Sequence, residues 1–421
     1  MATRRWVGRA RPIPQVTPLT PGSVSVGSTF TVTINRKAVT YTATAATVAN
    51  AVAGIADACA SMTEPEFAEL SFEDSTTVVT VTGPADGRPF TLTLSAGGTG
   101  SPTFTQTTTT SPSGPNWFNV AANWSENSVP ASTDDVFFDG GPSCLYGLDN
   151  NTITLASLTV TPNFPEGSEI GLPRTNGTNA NGYPEYRDQR LRIGATVCQI
   201  DTASRRIRLD LDTDQTALTV FNTGSPNEGD VAALDVIGTN SSSTANILKG
   251  SVAIAGLAGE TAQFASVRVA VRTQREGDAN VLLGSGLTVA TVEQTGGAVD
   301  LRCAVTTYTK ENGSANRQGT GAIATLNNRG GAFNDFGTGT ITTLNQSGEY
   351  VRGGLAGLTV TNTNLYGGGA TTDEAGVVTW TNAVQFVECS PAGAAGDTDR
   401  PASAVHAFNF GRHRKITVAD I

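Results

Sequence analysis

The chain has 421 residues, of which 15% are charged and 47 are glycine, and its formal net charge is −10. It is longer than one typical domain, and so few charged residues argue against long amphipathic helices and favour an all-β protein. The acidic balance excludes broad nucleic-acid binding, and no run approaches the roughly 20 apolar residues of a membrane span.

Residues 1–22 predict an extended basic arm that is rich in proline. The segment contains no acidic residue, and its prolines prevent a helix. A solvated tail and an arm docked on a partner are both compatible with this pattern, and we favour the docked arm. The residues expected to contact the partner are Arg4, Arg5, Trp6, Arg9 and Arg11.

Residues 23–96 predict a small α+β module with the element order ββαββ. Two alternating apolar runs around Asn35 indicate a hairpin. The next segment places Val52, Ile55 and Cys59 at helical spacing on one face. Two further strands follow, so we expect a helix that covers one face of a sheet.

Residues 97–115 are rich in Gly, Ser, Thr and Pro and predict a linker. Trp117 and Trp124 come directly after it. These rings are expected either to cap the first coil of the next domain or to form a stacking platform for a glycan, and we favour the cap.

Residues 116–390 predict a parallel β-solenoid, and residues 391–421 are expected to form a C-terminal tail. The phrase "GTGAIATLNN" at 319–328 returns as "GTGTITTLNQ" at 337–346, and a period near 18 extends from Leu287 to Val377. A left-handed hexapeptide helix would need an aliphatic residue six positions after Ile323, where Arg329 stands. We therefore expect an irregular, right-handed β-helix.

Details of the repeat predict where its side chains lie. Gly330 and Gly348 are expected at corners, and Asn327 should stack on Asn345 to form an amide ladder. Ile341 and Leu344 are three residues apart, so their side chains would face opposite sides of a straight strand. Either a corner separates them, or one points outward and forms a face for self-association.

The acidic residues do not single out a catalytic pair. Asp210, Asp212 and Asp214 in "RLDLDTD" suggest either a cation site or a solvated strand face, and we favour the strand face. Its charge would be offset by Arg205, Arg206 and Arg208. The carboxylates that a glycan-cleaving solenoid could use are Asp300, Glu311, Asp335 and Glu349.

Other catalytic signatures are missing from the sequence. The two histidines, His406 and His413, lie in the tail and cannot be joined to a triad or a metal site. No phosphate-binding or dinucleotide-binding fingerprint occurs. We expect no catalytic residue, no metal and no cofactor.

Several stretches resemble a family of uncharacterised proteins from tailed bacteriophages and prophages. They are "MATRRWVGRARPIPQVT", "GSTFTVTINRKAVTYTATAATVANAVAGIADA", "NWFNVAANWSENSVPASTDDVFFDGG", "IGLPRTN" and "GYPEYR". The resemblance implies a virion structural protein and carries over no functional residue.

The sequence therefore predicts a non-enzymatic virion protein, assembled in the host cytoplasm. We expect a homotrimeric capsid decoration protein that docks through its arm on the major capsid protein or another virion protein. The alternative is a tailspike or tail fibre that binds, or both binds and cleaves, a host surface glycan.

Overall fold

The structure is a computed structural model that describes residues 2–173, 187–270, 279–354, 356–366, 371–373, 377–386, 408–410 and 414–416. The predicted mainly β fold, with a small N-terminal module and a parallel β-solenoid, is confirmed. The tail predicted at 391–421, with both histidines, lies outside the described residues except for two short strands.

The elements of the N-terminal part are β1 (Thr3–Arg5), β2 (Val16–Gly22), β3 (Ser28–Ile34), β4 (Lys37–Thr42), α1 (Val48–Ala60), α2 (Pro65–Ala68), β5 (Ser71–Asp74), β6 (Val79–Thr82), β7 (Leu92–Gly98) and β8 (Thr103–Gln106).

The remaining strands are β9 (Asp135–Phe138), β10 (Asp149–Val160), β11 (Leu191–Asp201), β12 (Ile207–Asp210), β13 (Ala217–Asn222), β14 (Leu234–Ile237), β15 (Thr244–Ile247), β16 (Gly250–Ile254), β17 (Ala262–Val269), β18 (Ala279–Leu283), β19 (Leu287–Gln294), β20 (Ala298–Leu301), β21 (Ala304–Lys310), β22 (Ser314–Arg317), β23 (Ile323–Asn328), β24 (Ala332–Asp335), β25 (Ile341–Gln346), β26 (Glu349–Arg352), β27 (Leu358–Leu365), β28 (Thr371–Asp373), β29 (Val378–Trp380), β30 (Gln385–Phe386), β31 (Phe408–Phe410) and β32 (Arg414–Ile416).

The module contains two antiparallel sheets, in the orders β5-β6-β2-β8 and β4-β3-β7, which share one hydrophobic core with α1. The predicted hairpin is confirmed, because Asn35 and Arg36 both take positive φ, as a two-residue turn with primed geometry requires. The predicted helix is also confirmed. Its N-cap Thr47 accepts from the backbone of Asn50, and its buried face includes Val52.

The module is larger than the sequence predicts. Strand β2 lies within the predicted arm and β8 within the predicted linker, and the two pair with each other. β2 carries two prolines, which cannot donate to a ladder. Strand β6 pairs with the first half of β2 and β8 with the second half, so Pro18 is in register only with β6 and Pro21 only with β8. Each proline therefore has a paired strand on one side only, which β2 can accommodate.

The solenoid is built from two series of parallel strands. Between β19 and β26 each coil contributes one longer strand and one four-residue strand, and each strand pairs with its counterpart one coil away. Ile323 pairs with Ile341, so the 18-residue period is the length of one coil there. Strand β1 pairs in parallel with β9, so the start of the arm is the first rung of the stack.

Not every predicted coil start belongs to the same column of side chains. Ile341 pairs with Val360, two residues after Leu358, which the regular spacing indicated. Leu218 lies in the longer-strand series, whereas Leu234 lies in the shorter-strand series. Turns of different length change the spacing between coils, whereas the backbone pairing preserves the columns.

A corner separates Ile341 from Leu344. Both side chains are fully buried, while the two residues between them face outward. The pairing of β25 with β27 also passes over Thr342. The corner interpretation is therefore confirmed, and these residues form no outward aliphatic face.

The turn after β25 is one residue shorter than the turn after β23. The longer strands β23 and β25 pair at an offset of 18, but Ala332 pairs with Glu349, at an offset of 17. The structural counterpart of Glu349 in the preceding coil is therefore Ala332 rather than Gly331. Gly330 and Gly348 do lie at corners, where a Cβ on Gly330 would come 2.3 Å from the Glu311 carbonyl oxygen.

Candidate functional site

An aromatic cluster closes the start of the solenoid. Trp6 and Trp124 are 1% and 2% exposed, and their ring centroids are 5.2 Å apart. Phe118 and Phe138 pack against the same rings. The indole Nε1 of Trp6 donates to the Pro142 carbonyl at 2.7 Å, so the buried ring has its polar atom satisfied. We call residues 2–6 and 117–125, with Phe138, the cap.

The cap interpretation of the tryptophans fits the structure better than a glycan platform. Trp124 is buried, and its Nε1 donates to the Phe118 carbonyl at 2.8 Å. Trp117 is half-buried, packs on Tyr146 at a centroid distance of 5.5 Å and donates from Nε1 to the Gly87 carbonyl. Trp124 therefore has no accessible ring face, and Trp117 joins the cap to the module.

The chain uses the beginning of the predicted arm for its own fold. Arg4 Nε lies 3.2 Å from Asp134 Oδ2, and Arg5 pairs with Asp139 and stacks over the Phe137 ring. Arg4, Arg5 and Trp6, which were predicted to contact a partner, thus make contacts within the chain at the start of the solenoid, and their contact with a partner stays a prediction. The physical reason is that a solenoid needs its first coil covered.

Arg9 and Arg11 differ from these residues. Both are exposed, and neither forms an ion pair within the described part of the chain. Ile13 is 42% exposed, although its backbone is fixed by hydrogen bonds to Ser113. We call residues 9–13 the strap, because they connect the first rung to strand β2.

Asp134 ties the first rung to the next coil. Its carboxylate accepts from the backbone N–H groups of Ala2 and Ala131 and from Arg4. Burial by itself would raise the pKa of Asp134, but these hydrogen bonds outweigh it and hold the pKa below its usual value. The rung is therefore best held when this carboxylate is charged.

The aspartates of "RLDLDTD" do not share one strand face. Strand β12 ends at Asp210, and Asp212 takes a positive φ in the turn that follows. Arg192, on the preceding coil, lies 3.7 Å from Asp210 and 3.1 Å from Asp212. Asp214 accepts from the Thr154 hydroxyl. The prediction that neighbouring arginines offset these charges is wrong for this site, because the balancing cation comes from another coil.

The arginines near this segment belong to a second ionic cluster. Arg206 bonds to Asp230 and Glu169, and Arg208 bonds to Asp230 at 2.7 Å. Asp235 is 1% exposed and accepts from Arg190 at 2.5 Å. Burial raises the pKa of Asp235 above its usual value.

The four carboxylates considered for glycan cleavage do not meet in one site. Asp300 pairs with Arg302, and Glu311 pairs with Arg329 on the surface. Asp335 is fully buried inside the solenoid, whereas Glu349 is exposed. Within the described residues, no group of acidic, histidine or cysteine side chains could hold a metal ion.

The later coils contain two inward columns of polar side chains, which the sequence analysis missed. Backbone pairing aligns the first column, which we call the amide column: Gln294, Lys310, Asn328 and Gln346. The second, which we call the ionic column, contains Arg317, Asp335 and Arg352. All seven are at most 2% exposed. The signal in the sequence was their place two residues after an inward residue such as Leu326.

The amide column satisfies backbone carbonyls at the turns. Gln294 Nε2 donates to the Ser314 carbonyl at 2.9 Å, Lys310 Nζ to the Gly330 carbonyl, and Asn328 Nδ2 to the Glu349 carbonyl at 2.7 Å. Each of these acceptors belongs to the coil that follows its donor. A buried carbonyl without a donor is costly, so the column links successive turns.

The ionic column is centred on Asp335. Its carboxylate accepts from Arg317 at 2.9 Å, from Arg352 at 3.3 Å and from the Tyr350 hydroxyl at 2.7 Å. Burial raises the pKa of Tyr350 well above its usual value, so the hydroxyl stays protonated and donates. Both guanidinium groups also donate to turn carbonyls, including Arg317 to Gly339. The column has no access to solvent and therefore suits structure rather than catalysis.

The predicted amide ladder is confirmed, and it lies on the outward side of the coils. Asn345 Nδ2 donates to Asn327 Oδ1 at 2.7 Å, and Asn364 Nδ2 donates to Asn345 Oδ1 at 2.8 Å. Inside and outside, the later coils are therefore joined by side-chain hydrogen bonds as well as by their backbones.

Comparisons with family models, curated proteins and solved structures find no match to this chain. Among the described residues, no helix is both long and apolar enough to cross a bilayer.

Proposed function

We propose that this chain is a non-enzymatic structural protein of a tailed-phage virion. The structural role is supported by the amide column and the ionic column, whose buried polar side chains link successive coils. A catalytic solenoid would instead present its polar groups in a cleft that is open to solvent. The virion assignment rests on the resemblance of the quoted segments to phage and prophage proteins.

The partner is proposed to be the major capsid protein or another virion protein, met through the strap. Arg9 and Arg11 are exposed cations without an ion pair among the described residues, and Ile13 offers an apolar side chain beside them. An acidic surface with a small apolar recess would complement this combination, and the charges would set its orientation. The cap holds one end of the strap, so docking costs little conformational entropy.

We also propose that the particle-bound form is a homotrimer that decorates the capsid. On the longer-strand face, Thr307, Thr325 and Thr343 pair directly one above another and extend outward. Such a column of small polar side chains gives a regular surface along which straight stacks can pack side by side. Light scattering coupled to size exclusion would test the trimer independently of particle binding.

The test of docking compares two charge reversals of equal size. The variant Arg9→Glu/Arg11→Glu should lose binding to purified capsids that lack this protein. The control Lys37→Glu/Lys249→Glu changes two exposed lysines elsewhere and should bind like the wild type. Equal binding of both variants would contradict docking through the strap.

Copy number distinguishes decoration from the tail. Quantitative mass spectrometry of purified virions should find the chain in numbers comparable to the major capsid protein. A much lower copy number, together with retention on host polysaccharide, would support the tailspike or tail-fibre alternative. Absence from purified virions would overturn the virion assignment.

A further inference from the structure

Lys310 and Asn328 are direct neighbours inside the amide column. The register of β21 and β23 pairs Lys310 with Asn328, so their Cβ atoms stand one coil apart on the same inward side. Both residues are 0% exposed. An amine and a carboxamide therefore share a water-poor interior, where competing hydrolysis is suppressed.

The Lys310 amine lacks the ion pair that normally accompanies a buried lysine. Its Nζ donates to the Gly330 carbonyl and forms no ion pair within the described ranges. Burial lowers the pKa of Lys310 to about 8, although the charge of Glu349, two coils further on, opposes this shift. A substantial fraction of the amine is thus neutral near physiological pH, as a nucleophile must be.

The Asn328 carboxamide is held at one atom and free at the other. Its Nδ2 donates to the Glu349 carbonyl at 2.7 Å, which orients the group. Its Oδ1 is buried without a hydrogen-bond partner. Gln294, the other neighbour of Lys310, differs because its Oε1 accepts from Tyr308 and its Nε2 makes two hydrogen bonds. Asn328 is therefore the more available carbonyl centre.

We propose that Lys310 and Asn328 join in a self-catalysed isopeptide bond that covalently links two coils of the solenoid. The neutral Nζ attacks Cγ of Asn328, the new C–N bond forms, and the Cγ–Nδ2 bond breaks. One proton of the amine passes to the departing nitrogen, and ammonia leaves. Reactants and products balance without an oxidant, a cofactor or water.

The attack requires rotation about the terminal bonds of Lys310, which takes Nζ from the Gly330 carbonyl toward Cγ. The Glu349 carboxylate interacts electrostatically with the amine. The bond would resist separation of the coils in an assembled particle, but its existence does not depend on the virion assignment.

Intact-mass spectrometry of the purified full chain tests the proposal. The expected mass is lower than the sequence mass by about 17 Da, the loss of one ammonia. Digestion should yield a branched peptide that joins Lys310 to Asn328. A full sequence mass after incubation at pH 9, where about nine-tenths of an amine with this pKa is neutral, would overturn the proposal.

Variants separate this bond from other losses of ammonia. The Asn312–Gly313 sequence can form a succinimide of the same mass, but Lys310→Arg would not prevent that reaction, whereas it must restore the full mass if the bond exists. Asn328→Asp should react with loss of water, about 18 Da. Asn327→Ala, on the outward side, should keep the deficit. A deficit that persists in Lys310→Arg and in Lys310→Met would also overturn the proposal.

Discussion

Replacement of Asp335 by asparagine is expected to destabilise the later coils severely. The carboxylate is 0% exposed and lies between Arg317 and Arg352, which are 1% and 0% exposed. The asparagine side chain would remove the only described negative charge of the ionic column and turn an amide N–H group toward Arg or Tyr350 donors. Breaking a buried ion pair on one side costs about 3–5 kcal/mol, because an uncompensated charge remains.

The measurement is urea unfolding of Asp335→Asn combined with hydrogen exchange. Unfolding reports the total loss, and exchange shows whether protection falls first in β22–β26, as expected when coils interact mainly with their neighbours. Glu311→Gln is the matched control, since its partner Arg329 is 60% exposed and such a surface pair contributes at most about 1 kcal/mol. A loss below about 1 kcal/mol for Asp335→Asn would refute the reasoning.

Three further predictions concern the cap and the outward ladder. Trp6→Ala should lower stability by about 3–5 kcal/mol in thermal unfolding, because it leaves a cavity in the cap; a smaller loss than that of the half-buried Trp117→Ala would contradict this. The pKa of Asp134 is lower in the folded than in the unfolded protein. Its carboxylate therefore stabilises the fold fully above the unfolded-state pKa of about 4, and this stabilisation is lost as pH falls through the lower folded-state pKa. Limited proteolysis should therefore release residues 2–6 on acidification of the wild type, and Asp134→Asn should release them already at pH 7. Asn345→Ala breaks two ladder hydrogen bonds and should cost about 1–2 kcal/mol in urea unfolding, with no measurable change counting against the ladder.

The repeat was readable because it depends on local pattern. The recurrence of Ile323 at Ile341 sets a coil length, and Asn327 at Asn345 follows from it. The helix and hairpin of the module were likewise predictable, since helical spacing and a two-residue turn are short-range features.

The burial of the two polar columns could not be predicted from local sequence pattern alone. Lys310 and Arg317 look like solvated residues in sequence, because lysine and arginine are rarely buried. Whether such a residue faces inward depends on where the strand bends and on which backbone carbonyls of the next coil need a hydrogen-bond donor. Those carbonyls belong to turns some 20 residues away, such as Gly330 and Gly339.

The contacts of the basic arm also depend on the tertiary structure. Composition shows that residues 1–22 are basic and extended, but an extended strand pairs wherever an open edge exists. The first coil offers such an edge at β9, so Thr3–Arg5 complete it and Trp6 fills the space beneath, which leaves Arg9 and Arg11 exposed.

The sequence by itself determined the mainly β character, the 18-residue coil and the division into a module and a solenoid, because periodicity and composition act over short distances. Only the tertiary structure decided which charges are buried, which arginines stay exposed and which amine lies against which amide. Those outcomes depend on the register between coils, and register is set by backbone pairing and turn length across the whole stack.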